Sequence, residues 1–260
     1  MSDMIRNYGY YGDGLYKDQR IYAEYKQAVA GYPLGIIGVE IFFPILPGNV
    51  CNAWTYDFPV RVKMVEGATV ERMFKNDPTL LDEFKAAGDE LIADGCRAIT
   101  GACGYFANFQ KELAEHFSVP TAMSSLLQVP WIKSTLKKDE KIGVICANGS
   151  ALSSHTLKSV GIEDESVLVV RGLEDTKEFG PLVAMQGNSF NPDILGQEIV
   201  EKALDMCKTE NIGAILLECS DLPPFAHLVQ KATNLPVFDY ISLHHWMYRA
   251  VCQRPYTGFF

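Results

Sequence analysis

The chain contains no CxxC pair, no GxGxxG or GxxxxGK[ST] run, and no apolar stretch of the roughly 18 residues needed to cross a bilayer. Each absence removes a class of function. Seven cysteines (Cys51, Cys96, Cys103, Cys146, Cys207, Cys219 and Cys252) form an odd, unclustered set, which fits neither a disulfide scaffold nor a zinc knuckle. Free thiols in a reducing, cytoplasmic compartment are expected. Without the glycine fingerprints, nucleotide binding has no support. The N-terminal MSDMIRNYGYYGDG lacks the charged-then-apolar order of a signal, so a soluble protein with no membrane partner is expected. Positive charge is also scarce: 23 Lys and Arg stand against 32 Asp and Glu, for a net charge of −9. A polyanion would be repelled over most of such a surface, so a small molecule is a better partner than nucleic acid. Histidines number five. His244 and His245 are adjacent and point to different sides of any element, which is poor spacing for one metal, and no metal site is expected.

What the chain does have is apolar material, 48% of 260 residues, enough for two domains of ordinary size. Residues 1–32 are tyrosine-rich (Tyr8, Tyr10, Tyr11, Tyr16, Tyr22, Tyr25) and read as an arm with a short helix. It either lies on its own domain or packs on a partner subunit, which leaves a homo-oligomer open. From Pro33 short apolar runs alternate with longer amphipathic ones, the pattern of βα units. Strands are expected at LGIIGVEIF, VRVKMVE, CRAITGAC, PTAMSS, KIGVICA, SVLVVRG, IGAILLEC and PVFDYI. The intervening PTLLDEFKAAGDELIADG, FANFQKELAEHF, GQEIVEKALDMCKTEN and FAHLVQKAT carry apolar residues on one helical face. Uninterrupted apolar strands imply sheets covered on both faces.

An internal repeat organises these elements. A shift of 116 residues lays CRAITGACGYFANFQKELAEHFSVP over IGAILLECSDLPPFAHLVQKATNLP without a gap, matching Ala98 with Ala214, Cys103 with Cys219 and Phe109 with Phe225. The expected fold is α/β, with two pseudo-symmetric domains, each a mostly parallel sheet flanked by helices, and an active site in the cleft between them. The boundaries read as an arm over 1–32, a first half over 33–136, a second half over 137–236, and a C-terminal segment over 237–260 that returns to the first half.

Cys103 and Cys219 each end a strand just before a helix, where open α/β sheets hold ligands. A helix N-terminus there would lower a thiol's pKa and attract a carboxylate. Two thiols facing one substrate could remove a proton from one face of a carbon and return one to the other, with no cofactor. Taken singly, each cysteine could equally be a buried packing residue. The repeat separates this pair from the other five, which read as structural.

These residues resemble the aspartate/glutamate racemase superfamily, with GVEIFFPILPGNVCNAWTYDFPV, ITGACGYFANFQKEL, SVPTAMSSLLQVP and LLECSDLPPFAHLVQKATNLPVFDY carrying the resemblance from about Leu34 to Leu243. The resemblance implies Cys103 and Cys219 as an acid/base pair, with the backbone amides of Gly104, Tyr105, Ser220 and Asp221 near substrate oxygens. It also implies Ser124, Ser125 and Asn49 as substrate-binding side chains, and Glu40 as a group that orients or deprotonates a thiol. Glu40 replaces a more usual Asp, Gly104 stands where many amino-acid racemases have Asn, and Asp221 lies where cell-wall enzymes carry His. The last two departures, Gly104 and Asp221, weigh against an amino-acid substrate. The expected function is a cofactor-independent racemase or epimerase of a small carboxylate, such as aspartate, glutamate or a related compound. Alternatives are a lyase of the dimethylsulfoniopropionate type, a maleate-isomerase-like enzyme, and a non-catalytic carboxylate-binding protein.

Overall fold

The computed structural model describes residues 27–254 and residue 256; Tyr8, Tyr10, Tyr11, Tyr16, Tyr22 and Tyr25 of the N-terminal arm lie outside the described residues. A strand forms in every one of the eight apolar runs. Four of them, β1 (Leu34–Glu40), β2 (Val60–Thr69), β3 (Ala98–Gly101) and β4 (Thr121–Ala122), make a parallel sheet in the order β2-β1-β3-β4. The other four, β5 (Lys141–Cys146), β6 (Leu168–Gly172), β7 (Ile212–Leu217) and β8 (Val237–Phe238), repeat that order as β6-β5-β7-β8. In PVFDYI the strand stops at Phe238, because Asp239 and Ser242 form a capping box that starts the helix Tyr240–Val251.

Helices cover the sheets as the continuous apolar strands require. Helix Leu81–Ala93 buries Phe84, Ala87, Gly88 and Leu91, spaced along one helical face. Helix Pro192–Thr209 does the same with Leu195, Ile199, Ala203 and Met206, and the side chain of Asn191 caps its first turn.

The opposite faces are covered by exchange. Helix Val129–Thr135, which follows β4, contributes Val129 and Ile132 to a cluster with Ile142, Val144, Ala214 and Leu216 of the second sheet. Helix Tyr240–Val251, which follows β8, packs Tyr240, Leu243 and Met247 with Leu34, Ile36 and Ala98 of the first. The two helices occupy matching places in the 116-residue repeat. Within the second helix His244 is fully buried between Tyr56 and Thr100, its ring nitrogens 2.9 and 3.0 Å from their hydroxyls. Burial pulls its pKa down to about 3, which keeps the imidazole neutral.

Candidate active site

β3 and β7 hold equivalent places in the two sheets, and each runs into one of the paired cysteines. Cys103 has extended backbone and precedes a 3-10 helix, Gly104–Phe109. Its sulfur accepts the backbone N–H of Tyr105, and the sulfur of Cys219 accepts that of Asp221. Each thiol is thus met by the amide two residues further on. One cavity is lined by both cysteines, by Asn49, Cys51 and Gly104 from the first half, and by Ser220 and Asp221 from the second. Phe43, Phe74, Tyr105 and Phe179 supply aromatic walls, and among the described residues no lysine, arginine or histidine lines it.

The halves are stitched together around this cavity. Ser220 Oγ donates to the carbonyl of Ala102 at 2.9 Å, and Val50 N–H to the carbonyl of Ser220 at 3.3 Å. The Tyr105 hydroxyl donates to the Asn148 carbonyl at 2.6 Å and accepts the Asn148 N–H at 2.9 Å.

A second stitch reaches the chemistry itself. Asn49 Nδ2 donates to one carboxylate oxygen of Asp221, while Asn49 Oδ1 accepts the N–H of Cys51 at 2.8 Å. The other Asp221 oxygen accepts the thiol of Cys219 at 3.4 Å. Burial pushes the Asp221 carboxyl up to about 6, held back by its bonds to Cys219 and Asn49. Above that pH the carboxylate is ionised and already placed to take the Cys219 proton.

The thiols themselves correct the expectation that a helix N-terminus would acidify them. Both are raised above the ordinary thiol value, by burial first. For Cys103 the largest charge contribution is Glu218; for Cys219 it is Asp221, then Glu218. The amide donors at Tyr105 and Asp221 do lower the values, but desolvation is the larger effect.

Glu218 is the residue that sequence reasoning missed. It is fully buried, and neither carboxyl oxygen has a hydrogen-bond partner among the described residues. Desolvation pushes its carboxyl up to about 8. It sits against Gly104 so closely that a Cβ built there would fall inside the carboxyl group. The glycine that departs from the racemase pattern is therefore the complement of this carboxyl. The only trace of it in the sequence is a carboxylate immediately before Cys219, at the end of an otherwise apolar strand.

The remaining site residues divide between the cavity and the packing around it. Cys51, read as structural from the sequence, lines the cavity, and burial pushes its thiol up to about 12. Ser124 and Ser125 are fully buried and do not line it. Ser124 caps the 3-10 helix Ser125–Gln128, and Ser125 Oγ donates to the Glu218 carbonyl at 3.2 Å. Glu40, at the end of β1, is likewise not among the lining residues. Among the described residues no group of three or more His, Cys, Asp or Glu side chains is placed to hold a metal ion.

A dimethylsulfoniopropionate lyase of Durusdinium sp. clade D is 32% identical over 233 residues, covering 86% of this chain and 77% of that protein. The chain belongs to the family of that lyase. Dimethylsulfoniopropionate lyase 3 of Emiliania huxleyi is 31% identical over 247 residues, 90% of this chain but 63% of that longer protein. The chain thus spans less than two thirds of the length of this second relative. No family model matches the chain.

Among solved structures, a glycine-to-cysteine mutant of arylmalonate decarboxylase in a sulfate-associated form superposes with a TM-score of 0.57 at 15% identity, over 84% of this chain and 92% of that one. Allantoin racemase from Pseudomonas fluorescens gives 0.55 at 15% identity, over 87% and 99%. At such identities the likeness establishes the fold alone, a two-sheet α/β fold shared with these two enzymes.

Proposed function

We propose that this protein is a lyase that eliminates a neutral leaving group from a small zwitterion carrying a carboxylate and an onium group, with dimethylsulfoniopropionate as the first substrate to test. The observation that carries the reading is the lining of the cavity. Three thiols, one carboxylate and four aromatic rings surround it, with no cationic side chain among the described residues. Aromatic faces beside a carboxylate suit a sulfonium or quaternary ammonium group. The two carboxylates of aspartate would find no described cation to pair with. The substrate carboxylate is left to the backbone amides of the cysteine turns.

In this reading Cys219 passes its proton to Asp221 and the resulting thiolate takes the proton α to the substrate carboxylate. The electron pair of that C–H bond forms the carbon–carbon double bond. The C–S bond breaks with its pair on sulfur, so that acrylate and neutral dimethyl sulfide leave. The extra proton on the Cys219–Asp221 couple returns to solvent. Lysine, histidine and arginine have no part in these steps.

Because Asp221 must be ionised to accept a proton, kcat/KM is expected to rise with pH through about 6. Asp221→Asn removes that acid limb and lowers the plateau. A limb that persists in the variant assigns the titration to another group.

A second reading, racemisation or epimerisation of a small carboxylate, is favoured by the two thiols lining one cavity. Incubation in D₂O separates the two. Acrylate and dimethyl sulfide in equal amounts support the lyase. Deuterium entering the α-carbon of an intact chiral carboxylate, with no alkene from the sulfonium compound, overturns it in favour of the racemase.

A further inference from the structure

Both carboxylates of the site come from one short segment, Glu218 to Asp221, yet they serve different thiols. Asp221 follows Cys219 and bonds to it. Glu218 precedes Cys219, but its carboxyl group lies across the halves against Gly104, the residue after Cys103. The repeat does not duplicate this arrangement, since the positions equivalent to Glu218 and Asp221 are Ala102 and Tyr105. The two thiols are therefore related by pseudo-symmetry, while their acidic partners are not.

Building the carboxyl into this place is costly. A buried carboxyl with neither oxygen hydrogen-bonded carries the full desolvation penalty of the group, and an apolar side chain would fill the same volume without it. The backbone leaves room for it only because residue 104 is glycine. Glu218 itself is anchored at the end of β7, its N–H bonded to the Ile145 carbonyl at 2.8 Å.

The groups that sense its charge come from every side: the sulfurs of Cys103, Cys146 and Cys219 and the hydroxyls of Tyr105 and Tyr240. All of them are acids that lose a proton to become charged, and burial is what raises Glu218. A negative charge on Glu218 opposes one on Cys103.

We propose that Glu218 is a positioning residue for Cys103: its buried carboxyl keeps that thiol loaded with its proton and confines the one mobile negative charge of the site to the Cys219–Asp221 couple. This rests on the elimination reading and deepens it by making the two cysteines unequal. Cys219 is the base. Cys103 is the proton-bearing wall opposite, a donor toward the charge that develops on the substrate. A racemase that works on both hands needs thiols that exchange roles, whereas an elimination in one direction does not.

The test is alkylation of the full chain by iodoacetamide across a pH series, with Cys103 and Cys219 followed separately by peptide mass spectrometry. Glu218→Gln keeps the shape and removes the charge. The midpoint of Cys103 labelling is expected to fall by about one pH unit or more, with a smaller change at Cys219. Identical Cys103 profiles in the two proteins overturn the proposal, because a purely structural Glu218 would leave them unmoved.

Should the variant fail to fold, the unaltered protein still decides. A protonated-carboxyl infrared band that persists above the Asp221 transition and vanishes through about pH 8 supports the assignment, and its absence above pH 6 overturns it. Acrylate release from dimethylsulfoniopropionate is measured alongside. A labelling shift without acrylate sinks the lyase reading alone; acrylate with unshifted labelling sinks the role of Glu218 alone.

Discussion

On the proposed elimination, replacing Cys219 by serine is expected to lower the turnover of dimethylsulfoniopropionate by about 10²–10⁴-fold, the range spanned by a general base in other enzymes. Serine preserves the shape of the side chain and its bond to Asp221, but its hydroxyl gives up a proton far less readily than a thiol. The cavity walls and the amide donors are untouched by the change. Substrate binding, measured by calorimetry, is therefore expected to stay within about tenfold of the original, so the loss appears in kcat. Cys103→Ser is expected to cost less, because in an elimination its thiol stabilises charge and does not remove the proton. Equal and complete loss in both variants would point instead to thiols that trade roles, as racemisation needs. Unchanged turnover in both would return the cysteines to packing.

Glu218→Gln should produce the opposite kind of change, a more stable protein. The folded carboxyl titrates at about 8 against an ordinary value of 4.5, so the unfolded chain ionises first as pH rises. Its contribution to stability is fully present below 4.5 and is lost as pH climbs to about 8. At about pH 7.5 the penalty is on the order of 3–4 kcal/mol, from roughly 1.4 kcal/mol for each unit of displacement. Glutamine leaves an unpaired polar group in the same place, so that part of the cost cancels. Urea unfolding at several pH values should show the variant gaining stability over the original as pH rises from 5 to 8. A difference that does not change with pH would mean that Glu218 finds a partner on folding. Stability given up at a functional group is a familiar trade.

The two predictions draw on features that were unequally legible in the sequence. The strands could be read because sheets covered on both faces demand continuous apolar runs, and LGIIGVE and IGAILL are such runs. Cys103 and Cys219 were separable from five other cysteines because a gapless repeat put them in register. Glu218 was invisible because a carboxylate at the end of a strand ordinarily turns to solvent. Only the three-dimensional approach of Gly104 shows that it turns inward. Ser124 and Ser125 illustrate the reverse case. They follow a strand as ligand-binding serines do, but a two-residue strand and an immediate 3-10 turn send them into the core. The acidity of the thiols was misjudged because a helix terminus can be read from a sequence, whereas the depth of burial that opposes it cannot.

The exchanged helices, Val129–Thr135 over the second sheet and Tyr240–Val251 over the first, bear on how such a chain could arise. Each repeat sends the helix after its last strand to the other repeat's sheet. A single ancestral half would have had one sheet face with no cover of its own, and it could have closed that face only by trading helices with an identical copy. In the present chain each half closes the other in this way, and the second half alone carries both carboxylates.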